Sequence, residues 1–173
     1  MTALIVFFLT ALLVSFLCSL LESVLLSVSH AHIAVLIKDG EKTGQIMESL
    51  KEKINRPLAA ILTINTIANM VGATGVGAQT FHLFGSKWVA VSSFVLTLSI
   101  LIFSEIIPKT LGANYNKSLL GFSVYMIRIM IIITWPFVIL GEKISNYFRR
   151  EDSDQRRASR AELLAMAEIS EDE

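Results

Sequence analysis

Residues 88–111 read WVAVSSFVLTLSILIFSEIIPKTL, an apolar run that ends with a glutamate, a proline and a lysine. About 20 apolar residues in a helix cross the hydrocarbon core of a bilayer, so this run predicts a membrane span. Glu105 lies within it, roughly 9 Å from its end at a rise of 1.5 Å per residue. An ionisable side chain at membrane depth is costly and marks a functional site by default. The stretch therefore predicts a membrane protein with a polar site inside the bilayer.

The composition of the whole chain agrees with a membrane location. Of its 173 residues, 53% are hydrophobic and 17% are charged, and the mean hydropathy is +0.61. Soluble domains are more polar, with about 25% charged residues. The 15 basic and 15 acidic residues cancel, so the net charge gives no indication of a nucleic-acid partner. Cys18 is the single cysteine, which excludes a disulfide framework or a Cys-based metal cluster within one chain.

Two further apolar runs, residues 3–28 and 58–80, are long enough to span a bilayer. Basic residues concentrate between the first and second spans and after the third, whereas the short connection between the second and third holds only Lys87. By the positive-inside rule the N-terminus is outside and the C-terminus is cytoplasmic. We therefore expect an all-α integral membrane protein with three transmembrane helices in the plasma or inner membrane.

A fourth apolar run, at about residues 119–140, contains Arg128 and Pro136. An arginine at the bilayer centre costs about 3 kcal/mol or more. A fourth complete crossing would also place the arginine-rich tail outside. We therefore expect residues 113–147 to form interfacial or re-entrant helices. A conventional fourth span with a snorkelling arginine is the alternative.

The remaining segments predict cytoplasmic structure around a transmembrane domain at residues 1–148. Residues 30–56 have a helix-like pattern interrupted at Gly40 and Gly44, which predicts two short helices. Residues 149–173 are polar and end in an acidic run, and we interpret them as a linker towards an absent regulatory domain.

Each of the three spans carries polar side chains, and in the first span their spacing of three and four residues places them on one helical face. They are Ser15, Ser19, Glu22, Ser23 and Ser27 in the first span, Asn65, Thr66 and Asn69 in the second, and Ser104 and Glu105 in the third. At 1.5 Å per residue, Ser19, Asn65 and Glu105 lie roughly 13, 10 and 9 Å from the cytoplasmic ends of their spans. We therefore expect the spans to bring these side chains to one level in the cytoplasmic half of the bilayer.

The side chains at this level offer hydroxyl, amide and carboxylate oxygens. Such ligands suit hard cations such as Mg²⁺, Ca²⁺ or Mn²⁺, whereas Zn²⁺ and Cu²⁺ prefer imidazole or thiolate. Pro108 lacks an N–H and deprives the carbonyl of Ser104 of its usual helical partner. That carbonyl is therefore a further candidate for binding an ion or a water molecule.

Each polar residue also has a structural interpretation. A serine in a membrane helix can bond to its own backbone, and an asparagine can pair two helices. Glu105 can pair with Lys109 one turn further on, and Glu22 can replace Glu105 as the ligand.

The second span also has small residues at close spacing, which pack helices within one chain or in a homodimer. These residues are Ala68, Gly72, Ala73 and Gly77. We expect no catalytic residue and no enzyme, because no histidine lies near the serines to activate a nucleophile.

Residues 104–110 resemble the glutamate-X-X-proline-lysine-threonine signature that closes the third span of the cyclin M/CorC transporters. The step from Ser19 to Glu22 resembles the family's serine-rich first-span motif, and residues 64–69 resemble its asparagine-rich second-span motif. The resemblance implies a homodimeric transmembrane domain that exports Mg²⁺, with Na⁺ entry as the driving force. A membrane-embedded Mg²⁺ sensor or scaffold that binds without transport is the alternative.

The matched motifs imply that Ser19, Asn65 and Glu105 hold Mg²⁺. The expected supporting residues are Glu22, Ser23, Asn69, Ser104 and Pro108. Family members often have serine, asparagine and glycine at the positions of Leu21, Thr66 and Ser104, and these departures leave the three implied ligands intact. Full-length members continue into a cytosolic pair of CBS modules, which the resemblance implies would begin where this sequence stops. The implied partners are therefore the lipid bilayer, a second copy of the chain and that cytosolic pair, with no nucleic acid.

Overall fold

The computed structural model describes residues 1–137, and the compact unit Met1–Trp135 contains everything discussed below. Every regular element in this range is a helix, which confirms the all-α membrane fold. The whole tail predicted as a linker, residues 149–173, lies outside the described residues, and so do residues 138–147 of the predicted interfacial segment.

The α-helices run in chain order as α1 Thr2–Ser27, α2 His30–Lys38, α3 Lys42–Glu52, α4 Asn55–Phe84, α5 Val89–Ser99, α6 Ile107–Asn114 and α7 Asn116–Ile133. A 3-10 turn at Ser86–Trp88 precedes α5, and a π-helical segment at Ile100–Ile106 joins α5 to α6. The stretch Ser86–Asn114 is therefore one continuous helical segment of 29 residues.

Four of these segments are long and apolar enough to cross a membrane. Three of them, Thr2–Ser27, Asn55–Phe84 and Ser86–Asn114, contain the three spans expected from the sequence. The fourth is α7, whose 18 residues extend about 27 Å at 1.5 Å per residue. Arg128 is exposed on α7. An interfacial position for α7 stays a prediction, and so does its alternative as a fourth span.

The segment between α1 and α4 forms the two short helices expected, α2 and α3. Gly40 has φ +79° between them, a left-handed conformation that favours glycine, and so it ends α2. The break predicted at Gly44 is wrong, because Gly44 lies inside α3. A Cβ there would lie 2.8 Å from Leu36 Cβ, so Gly44 serves the close packing of α3 against α2.

Helix α1 is the centre of the bundle and packs against α4, the π-helical segment, α6 and α7. Its contact with α4 is close, because a Cβ on Gly72 would lie 2.3 Å from Ala11 Cβ and one on Gly75 would lie 2.5 Å from the Phe7 ring. At Gly72 the small residues of α4 therefore pack helices within one chain. A Cβ on Gly77 would have no atom within 4 Å.

The C-terminal end of α1 is held by α3. The ammonium of Lys51 donates a hydrogen bond to the main-chain carbonyl of Val28, the residue that follows α1. The negative end of the α1 helix dipole also stabilises a cation at this position. Burial lowers the pKa of Lys51 from its ordinary value, since the charged ammonium is partly removed from water.

Candidate metal-ion site in the helix bundle

The register of α1 against α4 determines which polar residues face each other. The pairs Phe7–Gly75 and Ala11–Gly72 show that the two helices run in opposite directions. One further turn along each helix brings Ser15 level with Asn69 to within about one residue, and the next turn brings Ser19 level with Asn65. Two of the three predicted ligands, Ser19 and Asn65, therefore lie at one level of neighbouring helices.

Two hydrogen bonds fix the third span against α1. Ser104 Oγ donates to the carbonyl of Leu12 at 2.9 Å, and Ser23 Oγ donates to the carbonyl of Lys109 at 2.6 Å. The later residue of α1, Ser23, bonds to the later residue of the third span, Lys109, so the two segments run in the same direction. Glu105 falls between these two bonds. Gly112 lies level with Ser23, so seven residues back along each helix Glu105 lies at a level between Ser15 and Ser19.

Gly112 lets α6 approach α1 at the far side of this region. A Cβ there would lie 2.7 Å from Ser23 Cβ and 2.8 Å from the carbonyl oxygen of Leu20. The sequence interpretation considered small residues only in the second span and missed this one. The position of Gly112, one turn beyond the proline and lysine of the third span, carried no signal that separates it from an ordinary helix glycine.

The polar side chains of Ser15, Ser19 and Asn69 are buried or half-buried, and two of their oxygens lack a partner. Ser15 is fully buried, Ser19 is 2% exposed, and Asn69 is half-buried. Among the described residues, neither Ser15 Oγ nor Asn69 Oδ1 has a hydrogen-bond partner, although both atoms are buried. The Asn69 amide donates a long 3.5 Å hydrogen bond to Asn65 Oδ1. Buried oxygens without a donor are rare in native structures and can receive a cation or a water molecule.

Four hydroxyls elsewhere in the bundle are bonded, although Thr80 Oγ1 and Ser123 Oγ also lack a partner among the described residues. Thr63, Thr97, Ser99 and Thr110 each donate to the carbonyl four residues earlier in their own helix, at 2.7 to 2.9 Å. This is the structural interpretation considered for serines in membrane helices. The side chains of Ser15 and Ser19 make no such bond to any described residue. Their oxygens therefore stay available within the bundle.

The ion pair in this region involves Glu22 rather than Glu105. Lys109 Nζ lies 3.9 Å from Glu22 Oε2, and both side chains are partly exposed. Within residues 1–137 no ion pair joins Glu105 to a cation, so the predicted alternative of a Glu105–Lys109 pair is not formed. An exposed pair of this kind contributes little stability. Of the two carboxylates within the predicted spans, Glu105 is therefore the one that has no cationic partner among residues 1–137.

The backbone that carries Glu105 is π-helical. The N–H of Ile107 donates to the carbonyl of Ile102, five residues earlier, in place of the usual four. Single π-helical turns inside longer helices occur frequently at functional sites. The sequence predicted a local irregularity from Pro108, which follows this segment, but not its type.

The described residues contain no group of three or more His, Cys, Asp or Glu side chains that could hold a metal ion. The candidate ligands are hydroxyl and amide oxygens on α1 and α4 together with the single carboxylate of Glu105. Ser15 was part of the predicted serine face but not one of the predicted ligands. Its signal was the repeat of serines every four residues, which does not distinguish one serine from the next.

Comparison with known proteins identifies the family. A family model described as the cyclin M transmembrane N-terminal domain matches residues 4–173. UPF0053 protein sll1254 of Synechocystis is 33% identical over 122 residues, covering 70% of this chain and 35% of that protein. UPF0053 inner membrane protein YfjD of Escherichia coli is 25% identical over 125 residues, covering 72% of this chain and 29% of that protein. The chain thus spans about a third of the length of these curated relatives.

Proposed function

The chain belongs to the cyclin M transmembrane domain family, and on this basis we propose that it is a metal-ion transport domain whose substrate is Mg²⁺. The family is a transporter-type membrane family, and the apolar helices together with an inner-membrane relative indicate a multi-pass membrane protein. These findings support a role in metal-ion transport. The identity of the transported ion, the direction of transport and its coupling to Na⁺ are our proposal.

One observation carries the proposal more than any other. Ser15 on α1 and Asn69 on α4 lie one helical turn from Ser19 and Asn65, and both have a buried oxygen without a hydrogen-bond donor among the described residues. A purely structural polar contact would satisfy these oxygens, because an unpaired buried polar group costs about 1–3 kcal/mol. A site that binds a cation accepts this cost in the empty state.

The ligand chemistry suits Mg²⁺ as one of the hard cations, and the family supports the choice of Mg²⁺ among them. We assign Ser19, Asn65 and Glu105 as the residues that hold it. Mg²⁺ is usually bound through one or two carboxylates, retains several water molecules and prefers neutral oxygens in its remaining positions. A single carboxylate leaves a net positive charge on the site, which suits release of a divalent ion better than its storage.

The supporting residues have structural tasks in this proposal. Ser23 and Ser104 hold the third span against α1 through their hydrogen bonds to main-chain carbonyls. Asn69 orients Asn65 through the amide contact, and Glu22 pairs with Lys109. Pro108 follows the π-helical segment, in the first turn of α6, and the third span can change its geometry there.

Transport then proceeds by alternating access. Mg²⁺ enters from the cytoplasmic side, loses part of its hydration shell and binds at the oxygen site. A rearrangement of the π-helical segment opens the site to the outside, and Na⁺ entry drives the cycle. The N-terminus is outside, the chain works as a homodimer, and a cytosolic CBS pair regulates it in the full-length protein.

Isothermal titration of the purified chain with Mg²⁺ tests the site. Glu105→Gln is expected to lower Mg²⁺ affinity at least tenfold, because the amide removes the negative charge at almost unchanged volume. Glu22→Gln is the matched control, since the same change affects a carboxylate that already pairs with Lys109, and its affinity is expected to stay within about twofold. Undiminished binding by Glu105→Gln would exclude Glu105 as a ligand.

A sensor or scaffold that binds Mg²⁺ without transport is the competing function. Both functions predict the same titration, so the distinction requires flux. Proteoliposomes loaded with a Mg²⁺-sensitive dye are expected to show Mg²⁺ movement that depends on a Na⁺ gradient and is lost in Glu105→Gln. Binding without any flux would assign the domain to the sensor class.

A further inference from the structure

A groove of about 490 Å³ opens between α3, the first turn of α4 and α7, away from the candidate ion site. Small-molecule sites in proteins have volumes of about 300–1,000 Å³, so the groove is large enough for a polar headgroup. Its walls include three cationic side chains, Lys53, Arg56 and Arg128. No aspartate or glutamate is among the described residues that line it.

The groove attracts negative charge because Lys53 and Arg128 line it together. Two cations around one groove repel each other, and an anion between them offsets that repulsion. Within the described residues, neither Lys53 nor Arg128 forms an ion pair. Arg56 is the third cation of the groove and lies in the first turn of α4.

The other wall of the groove is apolar and open. Ile131, Ile132 and Trp135 line it, and Ile132 is 72% exposed while Trp135 is 55% exposed. Tryptophan is enriched where a protein meets the headgroup region of a bilayer. A soluble anion would leave this apolar wall uncovered. An amphipathic ligand with an anionic head and a hydrocarbon tail covers both parts.

We propose that this groove, formed by α3, the start of α4 and α7, binds an anionic phospholipid through its phosphate headgroup. The phosphate contacts Lys53, just before the start of α4, and Arg128 on α7. An acyl chain lies along Ile131 and Ile132. Basic pockets between membrane helices on the cytoplasmic side recognise such headgroups. The bound lipid then links α3 and α7 to the cytoplasmic end of the second span.

Tryptophan quenching in proteoliposomes tests this proposal. The chain has two tryptophans, so Trp88→Phe leaves Trp135, in the groove wall, as the single fluorophore. Brominated phosphatidylglycerol, added to phosphatidylcholine vesicles, is expected to quench Trp135 at lower mole fractions than brominated phosphatidylcholine. Lys53→Gln and Arg128→Gln are each expected to weaken this preference about fivefold, and the double variant about 30-fold.

Control variants separate binding from folding and from general charge. Lys53→Arg with Arg128→Lys keeps both charges and is expected to keep the lipid preference. Lys38→Gln removes an exposed cation from α2, outside the groove, and is expected to change nothing. An unchanged preference in the Lys53→Gln/Arg128→Gln double variant would overturn the proposal and would favour another occupant, such as the acidic tail of the chain.

Free phosphate is the remaining source of the same chemistry. Inorganic phosphate added at millimolar concentration is expected to leave quenching by brominated phosphatidylglycerol in place, because it cannot cover the apolar wall. Complete loss of the lipid preference under these conditions would assign the groove to a soluble phosphate compound and overturn the lipid assignment.

Discussion

Ser104 donates a 2.9 Å hydrogen bond from its Oγ to the main-chain carbonyl of Leu12, which joins the π-helical segment to α1 next to Glu105. Ser104 is fully buried, so its hydroxyl has no water to bond with. Ser23, eleven residues after Leu12 on α1, makes the second bond, from its Oγ to the main-chain carbonyl of Lys109. Glu105 therefore lies between two fixed contacts, and the packing of α1 against the third span sets the position of its carboxylate.

The first prediction concerns this contact. Ser104→Ala is expected to lower the free energy of unfolding by about 0.6–1.7 kcal/mol, the range measured for hydrogen bonds between membrane helices. Mg²⁺ affinity is expected to fall as well, because Glu105 loses its fixed neighbour. Thr97→Ala is the control, since Thr97 bonds only to its own helix, at Ser93. Equal losses in the two variants would show that the bond to Leu12 has no special role.

The second prediction separates an ion site from a structural polar contact. Ser15→Ala removes a buried hydroxyl that has no partner in the described part of the chain. Its unfolding free energy is expected to stay constant or to rise by about 1 kcal/mol, because an unsatisfied polar group is lost. Its Mg²⁺ affinity, measured by titration, is expected to fall about tenfold.

Ser123→Ala is the matched control for that variant. Ser123 is equally buried and its Oγ also lacks a described partner, but it lies on α7, which supplies none of the candidate ligands. The same gain in stability is expected, with Mg²⁺ affinity unchanged. Loss of affinity in both variants would indicate a general packing effect and would count against Ser15 as part of the site.

The third prediction concerns the contact between α6 and α1. Gly112→Ala is expected to cost about 1–3 kcal/mol of unfolding free energy, because the new methyl group meets a main-chain carbonyl of α1 that cannot move aside. Gly77→Ala is the control, since nothing lies within 4 Å of a Cβ there. That change is expected to stabilise α4 by about 0.5–1 kcal/mol through helix propensity. Thermal unfolding in one detergent compares the two, and equal effects would contradict the close approach at Gly112.

The spans were predictable from the sequence for a simple physical reason. Within a bilayer every backbone polar group must be satisfied inside the segment, so a long apolar run can only be a helix. The helices therefore begin and end near the expected residues, although α4 extends to Phe84, four residues beyond the predicted end at residue 80. Gly44 was misjudged because a glycine breaks a helix in one context and packs two helices in another, and only the neighbouring helix decides which.

The candidate site was predictable in its chemistry but not in its geometry. The oxygen-rich faces of the spans follow from spacing alone, and so does the prominence of Glu105. The pairing of Lys109 with Glu22 does not, because it depends on the register between α1 and α6. The π-helical form of residues 100–106 also depends on tertiary packing, since Pro108 permits several local solutions.

The last prediction concerns pH and the attachment of α3 to α1. Burial lowers the pKa of Lys51 below its ordinary value of 10.5, so in alkaline solution the folded chain releases this proton before the unfolded chain does. Where the unfolded state binds more protons, stability rises with pH. Lys51 is therefore expected to add to the unfolding free energy as pH rises towards 10.5, and its neutral amine can still donate to the Val28 carbonyl.

Denaturant unfolding between neutral pH and pH 10.5 is expected to show this rise in the wild type and its absence in Lys51→Met. Lys38→Met is the control for loss of one positive charge. A Lys51→Met variant that follows the wild-type profile throughout would show that the ammonium is not buried between α3 and the end of α1.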